Sequence, residues 1–390
     1  MRVLATITAY PPSTGGAQMH LHALLTHLTA TEPEVVTYWD ENRSDWLLGT
    51  TIRAPSEARD YEVDTIPVHS VGTSTAHRLR ALPAVAAYYG ATRTSARWLA
   101  APVRRVLEPR ARRADIVHCV RVGREPLAVA SADAARRAGR PFVFTPLHHP
   151  RWGGRRHRVY LDLYRRADRL IALTPAEKAT LVALGARADD VSVTGIGPIL
   201  APGADPLGFR EKHGLDGPVV LFLGQHFRYK GFLALLAAAP LVWSRAPETR
   251  FVFAGPPVGR SERSFRDVDR RISRLGRVDL QTKTDALAAC DILCMPSTQE
   301  SFGGVFTEAW SFGKPVVAGD IPAVRDVVDD GVDGLLVDQD PEAIAERLLH
   351  LIDDPAERGR MGAAGRDKVA DRYSWPALAA ATERIYRSLL

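Results

Sequence analysis

Several protein classes are excluded by what this 390-residue sequence lacks. Only three cysteines are present and no Cys/His pair has the spacing of zinc ligands, so we expect neither a disulfide framework nor a zinc-stabilised domain. No apolar run is as long as a membrane-spanning helix requires. The opening segment Arg2–Thr8 lacks the long apolar core of a signal peptide and is soon followed by two prolines. We therefore expect a cytoplasmic protein with reduced cysteines.

Lysine is also scarce, so that the positive charge comes almost entirely from arginine. The sequence has 45 Arg and 6 Lys, and its formal net charge is +6. Residues 1–195 contain 27 basic and 18 acidic residues, a net of +9, whereas residues 196–390 have a net of −3. The basic half indicates an anionic partner such as a membrane surface or a phosphorylated substrate. Nucleic acid is not expected, because no motif that reads DNA or RNA is present.

What is present is the composition of a globular protein with two domains. Hydrophobic residues make up 46% and charged residues 25% of the sequence, which excludes a disordered or fibrous chain. At roughly 100–200 residues per domain, the length is typical of two domains, each with its own buried core.

Short apolar runs alternate with helical patterns in both halves, which predicts parallel sheets with helices on both faces. The first half has strand patterns at Arg2–Thr8, Ile116–Val120, Phe142–Thr145, Leu170–Leu173 and Val191–Thr194, and helical patterns from about Ala17 and at Pro126–Ala138 and Pro175–Leu184. The second half has strand patterns at Val219–Leu223, Arg250–Ala254, Asp291–Met295, Pro315–Ala318 and Gly334–Val337.

The segment 196–215 is rich in glycine and proline, interrupts this alternation and is predicted to be an interdomain linker. We therefore expect an α/β protein with two Rossmann-like, doubly wound domains, 1–195 and 216–370, that face a central cleft. Ligands should bind at the carboxyl ends of the strands.

The most informative motif follows the predicted strand that ends at Met295. Its sequence is Pro-Ser-Thr-Gln-Glu-Ser-Phe-Gly-Gly-Val-Phe-Thr-Glu, so that Glu300 and Glu308 flank Gly303 and Gly304. A helix that begins at the two glycines would offer backbone N–H groups and a positive dipole end to a phosphate. The two carboxylates would repel that phosphate, and they therefore suit neutral sugar or ribose hydroxyls. In the alternative interpretation, the glycines only begin a helix, and the two glutamates are exposed to solvent and bind no ligand.

This segment resembles the donor-binding stretch of retaining glycosyltransferases of family 4 (group 1), which have the GT-B architecture. The shared pattern is two glutamates separated by seven residues in a Ser/Phe-Gly context. The resemblance implies that Glu300 contacts the donor sugar, that Glu308 contacts the nucleotide ribose, and that N–H groups near Gly303 and Gly304 hold the diphosphate.

A second motif, Gly224-Gln-His-Phe-Arg-Tyr-Lys-Gly231, resembles the strand, Gly, then Lys-Gly pattern of that family. Lys230 after a strand can neutralise a leaving diphosphate, although a surface lysine in a turn has the same sequence pattern. Many family members have Arg after the first Gly, where this chain has Gln225. We hypothesise that Arg228 supplies the missing charge.

In the first half, the loop that contains Gly15 and Gly16 is similar to the family's first loop at a helix start, and it is a candidate for closing over the donor phosphate. His148 and His149 follow a predicted strand, where the family commonly has one donor-contacting His. Strand spacing slightly favours His148, and His149 stays open. His118, at another strand, is less favoured.

No metal site is predicted. Asp338-Gln-Asp340 formally matches the Asp-x-Asp metal motif of another glycosyltransferase architecture, but its position after a strand and before Pro341 favours a loop and helix cap. The donor nucleotide sugar, UDP- or GDP-linked, would be a substrate, and no cofactor is expected.

Two arginine-rich tracts, around residues 93–113 and 151–169, have apolar residues interleaved between the charges. This pattern fits either an amphipathic face on a membrane or a solvated helix face. At the other end of the chain, residues 371–390 resemble the family's last helix, which crosses back to the first domain.

Together these features predict a retaining, metal-independent hexosyltransferase that moves a sugar from a nucleotide diphosphate to a hydroxyl acceptor of lipid-linked or phosphorylated type. The catalytic candidates are Glu300, Lys230, His148 and His149, and the donor-binding candidates are Gly15, Gly16, Arg228, Gly303, Gly304 and Glu308. Two alternatives stay open: an epimerase or phosphorylase of the same architecture, and a non-catalytic, membrane-associated sugar-nucleotide sensor.

Overall fold

The computed structural model describes residues 1–13, 15–38, 55–88, 90–120, 126–148 and 158–390. His149 and the start of the second arginine-rich tract lie outside these residues. The chain forms two compact units. The first comprises Met1–Gly195 with Trp375–Leu390, and the second comprises Ile196–Ser374.

The first unit is built on an eight-stranded sheet of order β3-β4-β2-β1-β5-β6-β7-β8. Every pairing is parallel except that of β3 with β4 at the edge. The strands are β1 (Arg2–Ile7), β2 (Glu32–Thr37), β3 (Arg59–Val63), β4 (Ile66–Ser70), β5 (Ile116–Val120), β6 (Phe142–Thr145), β7 (Arg169–Ala172) and β8 (Val191–Val193). The central strands β5 and β6 are buried along their whole length, as expected for strands with helices on both faces.

Helices join these strands and complete the core. The helices of the first unit are α1 (Gly16–Thr26), α2 (Thr75–Ala87), α3 (Thr92–Arg113), α4 (Pro126–Ala138), α5 (Arg158–Arg166), α6 (Pro175–Ala183) and, from the end of the chain, α14 (Trp375–Arg387). Helix α6 begins at a Thr-Pro pair, in which the Thr174 hydroxyl accepts a hydrogen bond from the Glu177 N–H and Pro175 occupies the first turn.

The second unit contains a six-stranded, all-parallel sheet of order β11-β10-β9-β12-β13-β14. Its strands are β9 (Val219–Leu223), β10 (Arg250–Ala254), β11 (Ile272–Gly276), β12 (Ile292–Met295), β13 (Val316–Gly319) and β14 (Gly334–Val337). Its helices are α7 (Pro206–His213), α8 (Phe232–Trp243), α9 (Leu280–Ala289), α10 (Gly304–Ser311), α11 (Pro322–Arg325), α12 (Pro341–Asp353) and α13 (Pro355–Lys368). The parallel sheets confirm the predicted α/β fold class.

The structure differs from the sequence prediction between the two halves of the chain. The second unit begins at Ile196 and ends at Ser374, so the predicted linker belongs to it and contains helix α7. The Asp205 carboxylate caps this helix by accepting a hydrogen bond from the Gly208 N–H at 2.9 Å, and Gly214 ends it in the left-handed region at φ 60°. Glycine and proline therefore mark the ends of a short helix here.

The last helix belongs to the first unit. It begins at Trp375, after a π-helical turn over Val369–Tyr373, and not at residue 371 as predicted. The Glu383 carboxylate accepts hydrogen bonds from the N–H groups of Thr29 (3.0 Å) and Ala30 (2.7 Å). These charge-assisted bonds hold α14 to the segment before β2.

Among the residues that the structure describes, no helix combines the length and apolar character needed to cross a membrane.

Candidate functional site

The loop after β9 carries Lys230 at the carboxyl edge of the second sheet. A 3-10 turn over Arg228–Lys230 ends at Gly231, which has a φ of 88° and precedes helix α8. A Cβ atom on Gly231 would lie 2.5 Å from the Pro296 carbonyl oxygen. Only glycine therefore suits this position, because the loop presses against the segment that follows β12.

Lys230 and Glu300 form an ion pair at this edge. The Lys230 ammonium donates to Oε1 of Glu300 at 2.5 Å, and the two side chains are 21% and 9% exposed. Because β9 and β12 are neighbouring parallel strands, their following loops meet at one sheet edge. The backbone N–H of Thr298 also donates to the Tyr229 carbonyl at 2.8 Å. The structure thus brings together the lysine and the loop glutamate that the sequence predicted as site residues.

Helix α10 begins at the two glycines of the same loop. Gly303 adopts φ 88°, and a Cβ atom there would lie 2.2 Å from the ring of Phe306. Gly304 is the first helical residue. The Phe306 N–H donates to the Gly303 carbonyl at 2.9 Å. The N–H groups of Gly304 and Val305 come before the helix's own hydrogen bonds and can bind an anion.

Glu308 lies one turn into α10 and is buried. Its Oε1 accepts a hydrogen bond from the Lys283 ammonium at 2.7 Å, and Lys283 also donates to the Ile199 carbonyl at 2.6 Å. Burial raises the pKa of the Glu308 carboxyl above its ordinary value, and this effect outweighs the opposing influence of Lys283. Its Oε2 is buried without a hydrogen bond of good geometry from the described residues. A ligand hydroxyl could satisfy that oxygen.

The Gly15–Gly16 pair lies in the first unit at the start of α1. Gly15 is the N-cap in an extended conformation, and Gly16 is the first helical residue. A Cβ atom on Gly15 would lie 2.4 Å from Oε1 of Gln18, whereas one on Gly16 would meet open space. A side chain at Gly15 would therefore displace only the end of the flexible Gln18 side chain, and Gly16 leaves the helix start accessible.

His148 lies in the loop after β6 and is 6% exposed. Its Nδ1 shares a hydrogen bond with the Tyr164 hydroxyl at 2.9 Å. Its backbone N–H donates to Oε1 of Glu177 at 2.5 Å, and the Leu173 N–H donates to Oε2 of the same carboxylate at 2.7 Å. The sequence did not indicate Glu177 or Tyr164, although Thr174-Pro-Ala-Glu177 has the spacing of a capping box.

His118 has a structural role. Its Nδ1 shares a hydrogen bond with the Tyr386 hydroxyl at 2.7 Å and its Nε2 with the Thr145 hydroxyl at 2.8 Å. Burial lowers the pKa of His118 to about 3, so that the imidazole stays neutral. Because both ring nitrogens are occupied, this residue ties β5, β6 and α14 together.

Arg228 and Gln225 are both exposed beside the Lys230 loop, and the role of Arg228 stays a hypothesis. Asp340, by contrast, caps helix α12: its carboxylate accepts a hydrogen bond from the Ala343 N–H at 3.0 Å. The structure thus confirms the helix-cap interpretation of the Asp-x-Asp sequence.

The first arginine-rich tract forms helix α3, and several of its arginines have acidic partners. Arg93 pairs with Asp162 at 2.6 Å, and Arg110 pairs with Glu34 at 2.8 Å. Trp98 of the same helix is 50% exposed. Acidic partners therefore neutralise some arginines of this tract. The same helix also exposes an apolar side chain to solvent.

Two further residues at the second-unit site were missed by the sequence analysis. Lys283 pairs with Glu308, and the side-chain amide of Gln339 donates to the carbonyl oxygens of Pro296 and Tyr229. The scarcity of lysine could have indicated Lys283, since it is one of only six. No sequence signal marks Gln339, because its partners lie 43 and 110 residues away.

Comparison with known families gives two matches. A profile described as "Glycosyl transferases group 1" matches residues 217–354, and one described as "Glycosyl transferase 4-like domain" matches residues 15–197. Each match lies almost entirely within one of the two structural units.

Curated relatives match over part of their length. A phosphatidyl-myo-inositol mannosyltransferase from Mycobacterium tuberculosis is 35% identical over 184 residues, 45% of this chain and 48% of the relative. A D-inositol 3-phosphate glycosyltransferase 2 from Catenulispora acidiphila is 37% identical over 240 residues, 56% of each chain. The chain thus spans about half the length of the curated relatives it matches.

Solved structures match over the whole chain. HepE from Anabaena in complex with UDP has a TM-score of 0.76 at 21% identity, with 100% of both chains covered. A trehalose-6-phosphate protein from E. coli bound with UDP-2-fluoro glucose has a TM-score of 0.75 at 13% identity, also with full coverage. At these identities the similarity establishes the fold.

Proposed function

Because the chain belongs to the group 1 glycosyltransferases of family 4 and has the GT-B fold, we propose that it transfers a sugar from a nucleotide diphosphate sugar to a hydroxyl acceptor with retention of anomeric configuration. The observation that carries this proposal is the Lys230–Glu300 ion pair at the carboxyl edge of the second sheet. A charged pair of low exposure at that edge suits a ligand with a phosphate next to a polyol.

Each residue of this site has a defined part in the proposal. Lys230 would shift from Glu300 to the diphosphate and stabilise the leaving charge, and Glu300 would then accept hydrogen bonds from the donor sugar. The helix start at Gly303 and Gly304 would hold the same diphosphate. Oε2 of Glu308 would accept a hydrogen bond from a ribose hydroxyl.

The reaction that we propose is a front-face displacement. The bond between the sugar's anomeric carbon and the diphosphate oxygen breaks through an oxocarbenium-like transition state. The acceptor oxygen then forms the new bond on the same face, and its proton passes to the departing phosphate. His148 would hydrogen-bond the donor sugar in this proposal, with His149 as the alternative.

The proposed acceptor is an inositol that carries a phosphate, either free or as phosphatidylinositol. The two curated relatives described above are named for D-inositol 3-phosphate and phosphatidyl-myo-inositol. An anionic acceptor also agrees with the net charge of +9 over residues 1–195. The donor base stays open, since one relative is named as GDP-mannose-dependent and HepE is in complex with UDP.

The test is nucleotide release from UDP-, GDP- and dTDP-sugars, with and without D-inositol 3-phosphate or phosphatidylinositol vesicles. We expect release that requires an acceptor, and NMR of the product should show the donor's anomeric configuration. Interconversion of the donor sugar without an acceptor would indicate an epimerase. Tight donor binding without turnover would indicate a sensor.

Lys230→Ala and Glu300→Ala should each lower kcat/KM by at least about a hundredfold, since each removes a charge at the reacting centre. Lys212→Ala and Glu248→Ala, at exposed positions of the same unit, are the matched controls. Near-normal rates in both site variants would overturn the site assignment.

Metal independence is part of the proposal, because Lys230 and the α10 start would carry the leaving-group charge. Transfer should be unchanged in EDTA, and added Mg²⁺ or Mn²⁺ should not restore Lys230→Ala. Loss of activity in EDTA with recovery on adding a divalent metal would contradict it.

A further inference from the structure

The side-chain amide of Gln339 joins two loops of the second-unit site. Gln339 lies between β14 and α12, and its Nε2 donates to the Pro296 carbonyl at 2.7 Å and to the Tyr229 carbonyl at 3.3 Å. Both partners are carbonyl oxygens, which can only accept. The NH₂ group of the amide must therefore face them, and no other orientation satisfies the contacts.

The two carbonyls precede the charged residues of the site. Tyr229 is directly before Lys230, and Pro296 opens the loop that leads to Glu300. One amide group thus holds both segments that present the ion pair. Thr298 makes a second link, since its N–H also donates to the Tyr229 carbonyl.

The contact crosses the sheet. In the strand order β9-β12-β13-β14, the strand before Gln339 is separated from β12 by β13 and from β9 by two strands. The Gln339 loop therefore reaches over the end of β13 to the ends of β12 and β9. The pairing of β9 with β12 brings their loops to one edge but ends at Leu221 and Leu293, so the amide adds a constraint on the loops beyond the paired residues.

We propose that Gln339 is a positioning residue, which sets the relative position of Lys230 and Glu300 for the sugar diphosphate. This inference rests on the proposed function for its catalytic consequence, although the positioning itself is a property of the protein alone. Gln339 contacts neither charged group and acts through the backbone next to each. An error of about 1 Å in the placement of catalytic groups can lower a rate about a hundredfold.

Two substitutions separate the donated hydrogen bonds from the size of the side chain. Gln339→Met keeps an unbranched chain of similar length but has no donor. Gln339→Glu keeps the shape, but its ionised carboxylate repels both carbonyls, whereas its protonated form can donate to one of them. Gln281→Met, at an exposed position of helix α9, is the matched control.

The first readout needs no activity. Lys230 is partly shielded by its ion pair, so the rate at which an amine-acylating reagent modifies it reports its position. We expect at least a threefold increase at Lys230 in both Gln339 variants at pH 8, measured by peptide mass spectrometry. Modification of exposed Lys212 should be unchanged. An unchanged Lys230 rate in both variants would overturn the inference, whatever the enzyme's activity.

The second readout is kcat. Both variants should have kcat lowered at least tenfold at pH 8, with a smaller change in donor KM. As pH falls from 8 to 5, Gln339→Glu should regain activity relative to Gln339→Met, because its carboxyl becomes a donor. Wild-type kcat in both variants, or identical pH profiles of the two, would also overturn the inference. Failure of the wild-type protein to release any nucleotide would overturn the proposed function instead, and acylation would still decide the role of Gln339.

Discussion

The buried carboxylate of Glu177 binds backbone N–H groups from two separate segments of the first unit. It accepts from His148 at 2.5 Å and from Leu173 at 2.7 Å, and so it ties the loop after β6 to the loop after β7. Burial raises the pKa of the Glu177 carboxyl to about 7, although the two N–H groups oppose this effect. This one side chain determines where the candidate residue His148 is held.

The stability that Glu177 contributes should depend on pH. Because its pKa is raised from 4.5 to about 7, the folded state binds a proton more tightly than the unfolded state does. The contribution is therefore complete below about pH 4.5 and is lost as pH rises through about 7, by up to about 3 kcal/mol. The Tm of the wild type minus that of Glu177→Gln, measured by calorimetry, should be largest near pH 5 and decrease toward pH 8.

The control for this prediction is Glu62→Gln, at an exposed position of the same unit. Its Tm difference from the wild type should vary little over the same pH range. A Glu177→Gln difference that does not change with pH would contradict the raised pKa.

At the scale of elements, the start of helix α10 shows how a single backbone conformation positions a loop. Gly303 combines φ 88° with a close approach to Phe306. Gly331 has φ 74°, and no atom lies within 4 Å of the position that a Cβ atom would take there. An alanine at either position has the cost of a left-handed conformation, about 1–2 kcal/mol. Only at Gly303 must the neighbouring ring also move.

Gly303→Ala should therefore lower transfer activity at least tenfold, because the loop that carries Glu300 shifts with the helix start. Gly331→Ala, at the opposite end of β14 from Gln339, is the matched control and should lose only stability. Both rates and both Tm values are to be measured. Equal activity in the two variants would show that the α10 start tolerates the added methyl group.

Most of the strands that the sequence predicted are buried along their length, and the partly exposed edge strand β8 is an exception. Strand β5 was predicted at its observed bounds because Ile116–Val120 is a short run of mainly apolar residues, interrupted only by His118. The edge strand β3 was missed because Arg59–Val63 is mostly polar and exposed, so that its pairing with β4 leaves little pattern in the sequence. Strand β11 was missed for a related reason, since it is only partly buried.

The candidate site was predictable to a similar extent. Lys230, Glu300 and the two glycines of α10 each follow a recognisable strand, and the parallel sheet brings their loops to one edge. Gln339 was not predictable, because its partner Pro296 lies 43 residues away, and only the scarcity of lysine could have indicated Lys283, whose pairing with Glu308 has no sequence pattern of its own. Such contacts depend on the packing of whole elements.

At the scale of the whole molecule, part of the excess positive charge of residues 1–195 lies on the surface of helix α3. Some arginines of α3 are neutralised by acidic partners, but Arg97 and Arg105 are exposed, as is Trp98 between them on the same helix. On the neighbouring helix α2, Leu79 is 63% exposed. Exposed cations beside exposed apolar side chains favour the surface of an anionic membrane.

We therefore expect the protein to sediment with vesicles that contain about 30% anionic phospholipid but not with neutral phosphatidylcholine vesicles. Binding should fall at least fivefold between 50 and 300 mM salt, since salt screens charges at the surface. Arg97→Glu with Arg105→Glu should weaken binding at low salt, whereas Arg347→Glu, at an exposed position of the second unit, should not. Equal binding by both variants would contradict a membrane-binding role for helix α3 and would favour the alternative, in which its exposed arginines form a solvated helix face.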